Sequence, residues 1–189
     1  ISGMSSSKLT GALPAIDGSS LTGINTGFTF PTIQSLNGQT NVDFTGIPSG
    51  TNIIKFSIYR ASGTVTGGYT AIQIGDSGGI ETSGYVIQDQ FAGFSGGTNY
   101  GGHSNTASSW VVSQWGATSV VLTFVGEIFR MYNNVWFMQA AFIENDNSPN
   151  YFNNLRGIKE LSGELTQIRF TRTAGTYDDS NSYVRIGYQ

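Results

Sequence analysis

In residues 52–60, Ile54, Phe56 and Ile58 alternate with Lys55, Ser57 and Tyr59. A period of two places the apolar side chains on one face of an extended strand, whereas a helix would scatter them. This alternation is the strongest constraint on the fold, because similar short runs recur between turn signals along most of the chain. Residues 29–32 and 41–45 read as strands separated by Asn37-Gly38, a favoured tight-turn pair. Residues 69–74 and 84–88 follow, divided by Gly75-Asp76-Ser77-Gly78-Gly79. That glycine run lacks the lysine and the following helix of a phosphate-binding loop.

The second half is heavier. Residues 110–114, 119–129, 134–143, 165–173 and 183–188 read as strands, with Asp178-Asp179-Ser180-Asn181 as a turn before the last. Val120, Leu122 and Phe124 fill one face while Val121 and Val125 put apolar groups on the other. Val135, Phe137 and Ile143 likewise face away from Trp136, Met138 and Phe142. A strand apolar on both faces needs cover on both. Either loops form that second cover, or a neighbouring subunit does. About ten strands and no helix are expected. The fold class is therefore all-β, a jelly-roll-like antiparallel β-sandwich.

Residues 1–26 differ from the rest. Ser7-Lys8-Leu9-Thr10-Gly11 recurs twelve residues later as Ser19-Ser20-Leu21-Thr22-Gly23. One copy cannot bury its aliphatics alone. Leu9, Leu13, Ile16, Leu21 and Ile24 are thus candidate contacts of an extended stalk, intertwined with other copies or docked on a partner. A flexible Gly/Ser linker is the alternative. The expected division is an extended stalk or attachment segment over 1–26 and a sandwich domain over 27–189. The chain begins at Ile1, without a signal-peptide pattern, and reads as a processed chain or a fragment.

Composition limits the function classes. Charged residues are 11% of the chain, against about 25% in an average soluble protein. Such a surface suits burial in an assembly, and with the two-faced strands it predicts a homotrimer. A net charge of −3 without a basic stripe argues against nucleic-acid binding. No apolar run is long enough for a membrane-spanning helix. Cysteine is absent, which excludes disulfides and thiolate metal sites.

The chemistry-bearing residues are few. His103 is the only histidine, and no G-x-S-x-G elbow presents a serine to it. Carboxylate pairs of the glycosidase type are Asp76 with Glu81, Glu144 with Asp146, and Asp178 with Asp179. Each lies beside Gly, Ser or Asn, where closing a turn is explanation enough. Asn145-Asp146-Asn147 and Asp178-Asp179-Ser180-Asn181 offer oxygen ligands without an EF-hand pattern. No catalytic residue, metal or cofactor is expected. The better signal is for recognition. Phe91, Phe94, Tyr100, His103 and Asn105 fall in a polar, glycine-rich stretch read as a long loop over residues 89–109. Asn150 and Tyr151 fall in a second loop over residues 145–154. Aromatic rings interleaved with amides suit a glycan ligand, and equally suit packing against a neighbouring subunit.

Three segments also carry a family resemblance. Asp43-Phe44-Thr45-Gly46-Ile47-Pro48-Ser49-Gly50 precedes Ile72-Gln73-Ile74-Gly75-Asp76-Ser77-Gly78-Gly79-Ile80-Glu81-Thr82-Ser83-Gly84-Tyr85, and residues 161–189 follow. In this order they resemble a β-sandwich domain of bacteriophage tail-fibre and other virion proteins. Residues 13–24 resemble the stalk preceding such domains. The resemblance implies a trimeric structural protein on the virion surface, outside the cell: a tail fibre, spike or head-decoration fibre. Its stalk would contact other virion proteins, and its sandwich would face outward. A host-receptor module that binds a surface glycan during adsorption is the alternative.

Overall fold

Alternation along residues 52–60 becomes strand β3 (Ile53–Ala61), with Ile54, Phe56 and Ile58 buried and Lys55, Ser57 and Tyr59 exposed. The computed structural model describes residues 27–93, 100–112, 120–144 and 151–189. The expected stalk, with Leu9, Leu13, Ile16, Leu21 and Ile24, lies outside the described residues.

Thirteen strands and no helix form among the described residues. Besides β3 they are β1 (Gln34–Ser35), β2 (Asn41–Thr45), β4 (Thr70–Asp76), β5 (Gly79–Ile80), β6 (Tyr85–Gly93) and β7 (Tyr100–Ala107). Then follow β8 (Trp110–Val111), β9 (Leu122–Tyr132), β10 (Val135–Glu144), β11 (Tyr151–Glu160), β12 (Gln167–Arg172) and β13 (Tyr183–Tyr188). All pairings are antiparallel.

The larger sheet runs β1-β13-β3-β9-β10-β11-β6-β7, and the smaller β2-β12-β4, with β5 and β8 sharing the far edge of β4. A jelly roll is embedded in this order. Strands β1-β13-β3-β9 face β2-β12-β4-β8, and the chain passes between the two sets as two Greek keys require. Two insertions enlarge it. One carries β5, β6 and β7 between β4 and β8, and the other carries β10 and β11 between β9 and β12. Together β10, β11, β6 and β7 widen the larger sheet by four strands.

The two sheets share one core. Phe170 of β12 packs on Phe56 of β3 at 5.7 Å and on Phe44 of β2 at 6.1 Å. Gly126 in β9 leaves room for the Phe56 ring, whose Cζ would lie 2.4 Å from an added Cβ. The added strands have their own cover. Trp110 of β8 meets Tyr85 edge-on at 5.2 Å and lies against Gly157, where a Cβ would sit 2.4 Å from the indole.

Four local expectations are corrected. Residues 29–32 make no strand: Thr29 bridges Tyr188, and Pro31 has no N–H to donate. The Asn37-Gly38 turn joins no hairpin but carries the chain from β1 in one sheet to β2 in the other. Residues 89–109 are not one long loop, because β6 reaches Gly93 and β7 begins at Tyr100. Residues 151–154 belong to β11, which the sequence reading missed. In the last two, pairing on both sides of β6 and β11 overrides weak local propensity.

The domain has two distinct poles. Thr29, Asn52, Asn133 and Gln189 gather at one, held by bonds from Asn52 and Ile53 to Gln189 and from Thr29 to Tyr188. The other carries the ends of β6, β7, β10 and β11 and the start of β9. The ten residues of β10 set the poles about 30 Å apart.

Candidate binding face

The outer face of the larger sheet is built from rows of side chains in register across neighbouring strands. One row is Ile53, Phe129, Phe137, Ile158 and Val86, its two phenylalanines 5.0 Å apart. The next is Lys55, Glu127, Gln139, Arg156 and Gln88. Beyond it come Ser57, Val125, Ala141 and Asn154, and then Thr123 with Ile143. Val125 and Ile143 are each 58% exposed. No described residue forms a second layer over them.

Side-chain length shapes this face. Val125 and Ala141 are short and lie between the longer Glu127, Gln139 and Arg156 on one side and Ile143 on the other. The result is a depression of about 290 Å³ lined by Val125, Glu127, Gln139, Ala141, Asn154 and Arg156. Inside it the Gln139 amide donates to Glu127 Oε1 at 2.6 Å.

The residues singled out in the sequence are divided. Phe91 pairs with Tyr100 and with Asn153, and Tyr151 pairs with Gly93, so Phe91, Tyr100 and Tyr151 occupy positions near the pole opposite Thr29. His103 pairs with Gln88, further along the sheet, and Asn105 falls where the β6–β7 register shifts. Phe94 and Asn150 lie outside the described residues. Glu127, Gln139 and Arg156 were not singled out. The alternation in β9 and β10 was their only signal, and the register that unites them is not readable from spacing.

The carboxylates have structural partners. Asp76 Oδ1 accepts from the Gly78 N–H at 2.7 Å, closing the β4–β5 turn. Ser162 Oγ lies 2.8 Å from both Asp76 Oδ2 and Glu81 Oε1, and the Lys159 ammonium pairs with Glu81. Bonds from the Ser162 hydroxyl and the Gly78 N–H hold Asp76 below its ordinary value. Burial alone would raise Glu81, but bonds from Lys159 and Ser162 outweigh it and hold this carboxyl low too. Both groups are therefore ionised at neutral pH. Asp179 pairs with Arg60 at 2.7 Å and accepts from the Asn181 N–H. Asp178 bonds Ser62. Asp146 lies outside the described residues. Among those described, no three His, Cys, Asp or Glu side chains converge as a metal site, and no helix is long and apolar enough to cross a membrane.

Comparison with protein-family models, curated proteins and solved structures finds no match.

Proposed function

We propose that this protein is a structural protein of a bacteriophage particle: a tail fibre, spike or head-decoration fibre that displays its sandwich outward at the virion surface. Residues 1–26 are its attachment segment to other virion proteins, and it works as a homotrimer. The observation that supports this reading best is the polarity of the domain. Residue 27 enters at the pole of Thr29 and Gln189, while the hairpin ends and the starting residues of β9 lie about 30 Å away. A domain held by its entry pole presents the opposite pole and the wide sheet to its surroundings. Jelly rolls recur in viral and lectin proteins, which agrees with the reading at the level of fold alone.

Trimerisation has a separate support. Met131 and Tyr132, 57% and 71% exposed, stand at the entry pole, where adjoining copies would cover them. The test is immunogold electron microscopy of purified particles, with antibody raised against the full chain. Gold at one defined place on the particle is expected. Particles that carry neither gold nor the chain on immunoblots overturn the proposal.

A second reading, glycan recognition, is favoured by the depression on the outer face. It is compatible with display, because a virion fibre can carry the receptor site.

A further inference from the structure

We infer that the depression across β9, β10 and β11 is a binding site for a linear acidic glycan, one bearing uronic or sialic acid carboxylates. The inference rests on the display reading for its biological setting and on the geometry of the sheet for its chemistry.

Direction is the first observation. Val125, Ala141 and Asn154 lie in one row on three adjacent strands, so the floor runs across the strands for about 10 Å. The wall of Glu127, Gln139 and Arg156 follows it throughout. This is a track for an extended polymer rather than a pit for a compact ligand. The track lies in mid-sheet, where backbone groups are already paired, so an extended peptide cannot add to it as a further strand.

Charge is the second observation. Among the described residues, each cation except Arg156 has a carboxylate or an aromatic ring. Arg60 pairs with Asp179, Lys159 with Glu81, Arg169 with Asp43 and Arg130 with Glu164. Lys55 lies over Phe28, Arg185 over Phe30 and Arg172 over Tyr177. Arg156 is exposed on the wall with neither. A guanidinium binds a carboxylate through two parallel N–H bonds.

The neighbouring groups decide the rest of the ligand. Gln139 and Asn154 each carry donors and an acceptor, the match for sugar hydroxyls. Glu127 engages the Gln139 amide N–H, which leaves the amide carbonyl to accept from a ligand. Glu127 stands two strands from Arg156, about 10 Å away. The ligand carboxylate therefore sits at the Arg156 end, and uncharged hydroxyls sit at the Glu127 end. One free cation beside an anionic residue does not make a track for a phosphate polymer.

The full chain is tested on an array of uronate- and sialate-bearing oligosaccharides, printed beside the same compounds with their carboxyls reduced to alcohols. At least one acidic member is expected to bind ten-fold or more above its reduced form. Arg156→Ala should abolish that preference. Ala141→Leu, which fills the exposed floor, should weaken binding at least ten-fold at an unchanged unfolding midpoint. Arg169→Ala, in β12 of the smaller sheet, should bind normally. No acidic member bound, or equal binding by Ala141→Leu, overturns the inference. A chain found on the particle that ignores every acidic glycan refutes this inference alone. Binding by a chain absent from the particle refutes the display reading alone.

Discussion

Tyr85→Phe removes one oxygen from a site where that oxygen completes the backbone. Tyr85 is fully buried, and its hydroxyl accepts from the Ile74 N–H at 2.8 Å. The hydroxyl proton can go to Glu81 O at 2.9 Å or to Ile74 O at 3.1 Å. Ile74 O also receives the Glu81 N–H, so it keeps a partner after the substitution. Its N–H does not, and Ile74 is itself fully buried. An unsatisfied buried donor costs about 1–3 kcal/mol. The ring stays, so the edge-on contact with Trp110 is kept and no cavity opens. The expected loss is about 2 kcal/mol, or about 4–8 °C in midpoint for a domain of this size. Urea unfolding followed by tryptophan fluorescence measures it, with an unchanged m-value as the sign that only stability moved. Tyr183→Phe, on a side chain 43% exposed, is the control and should change nothing. A loss for Tyr85→Phe below about 0.5 kcal/mol, the range of ordinary surface substitutions, would refute the reasoning.

Three further outcomes are expected. Asp76, Glu81 and Asp179 titrate below their ordinary values in the folded chain, so the unfolded chain binds more protons in acid. Stability should thus be flat above about pH 5 and fall as pH drops through the folded values, and urea midpoints that hold or rise from pH 5 to pH 3 would contradict this. Gly157→Ala drives a methyl group into Trp110 and should cost about 1–3 kcal/mol in urea unfolding, with a smaller loss in a Trp110→Leu background. Met131→Asp with Tyr132→Asp should convert trimer to monomer in sedimentation without changing the circular dichroism spectrum, and a trimer that persists would remove this surface from the contact.

Much of the fold was legible because several strands are half-buried. In β3 and at the start of β9, inward residues are apolar and outward ones largely polar or solvent-facing, so period and burial coincide. The two-faced character of β9 and β10 was also legible, and their outer face has no covering layer among the described residues. Strand β11 was not legible, for a physical reason. Its inward positions include Gly157, required by the close approach of Trp110, and Lys159, which pairs with Glu81. Two of its inward residues therefore do not look apolar. Strand β7 begins Tyr100-Gly101-Gly102-His103, a run with turn-like composition that is extended because it pairs with β6. The binding face was least legible of all. Glu127, Gln139 and Arg156 belong to three strands, and only their register makes them one row.

The most direct measurement of the central claim is a cryo-electron microscopy map of the assembled particle, at a resolution that traces the sandwich. The account predicts three jelly rolls around one axis, with the pole of Thr29 and Gln189 against the particle. The hairpin ends of β6–β7 and β10–β11 should point outward, with the Ala141 trough open to solvent. A sandwich attached by its hairpin pole, or one whose wide sheet is buried against the shell, would contradict it.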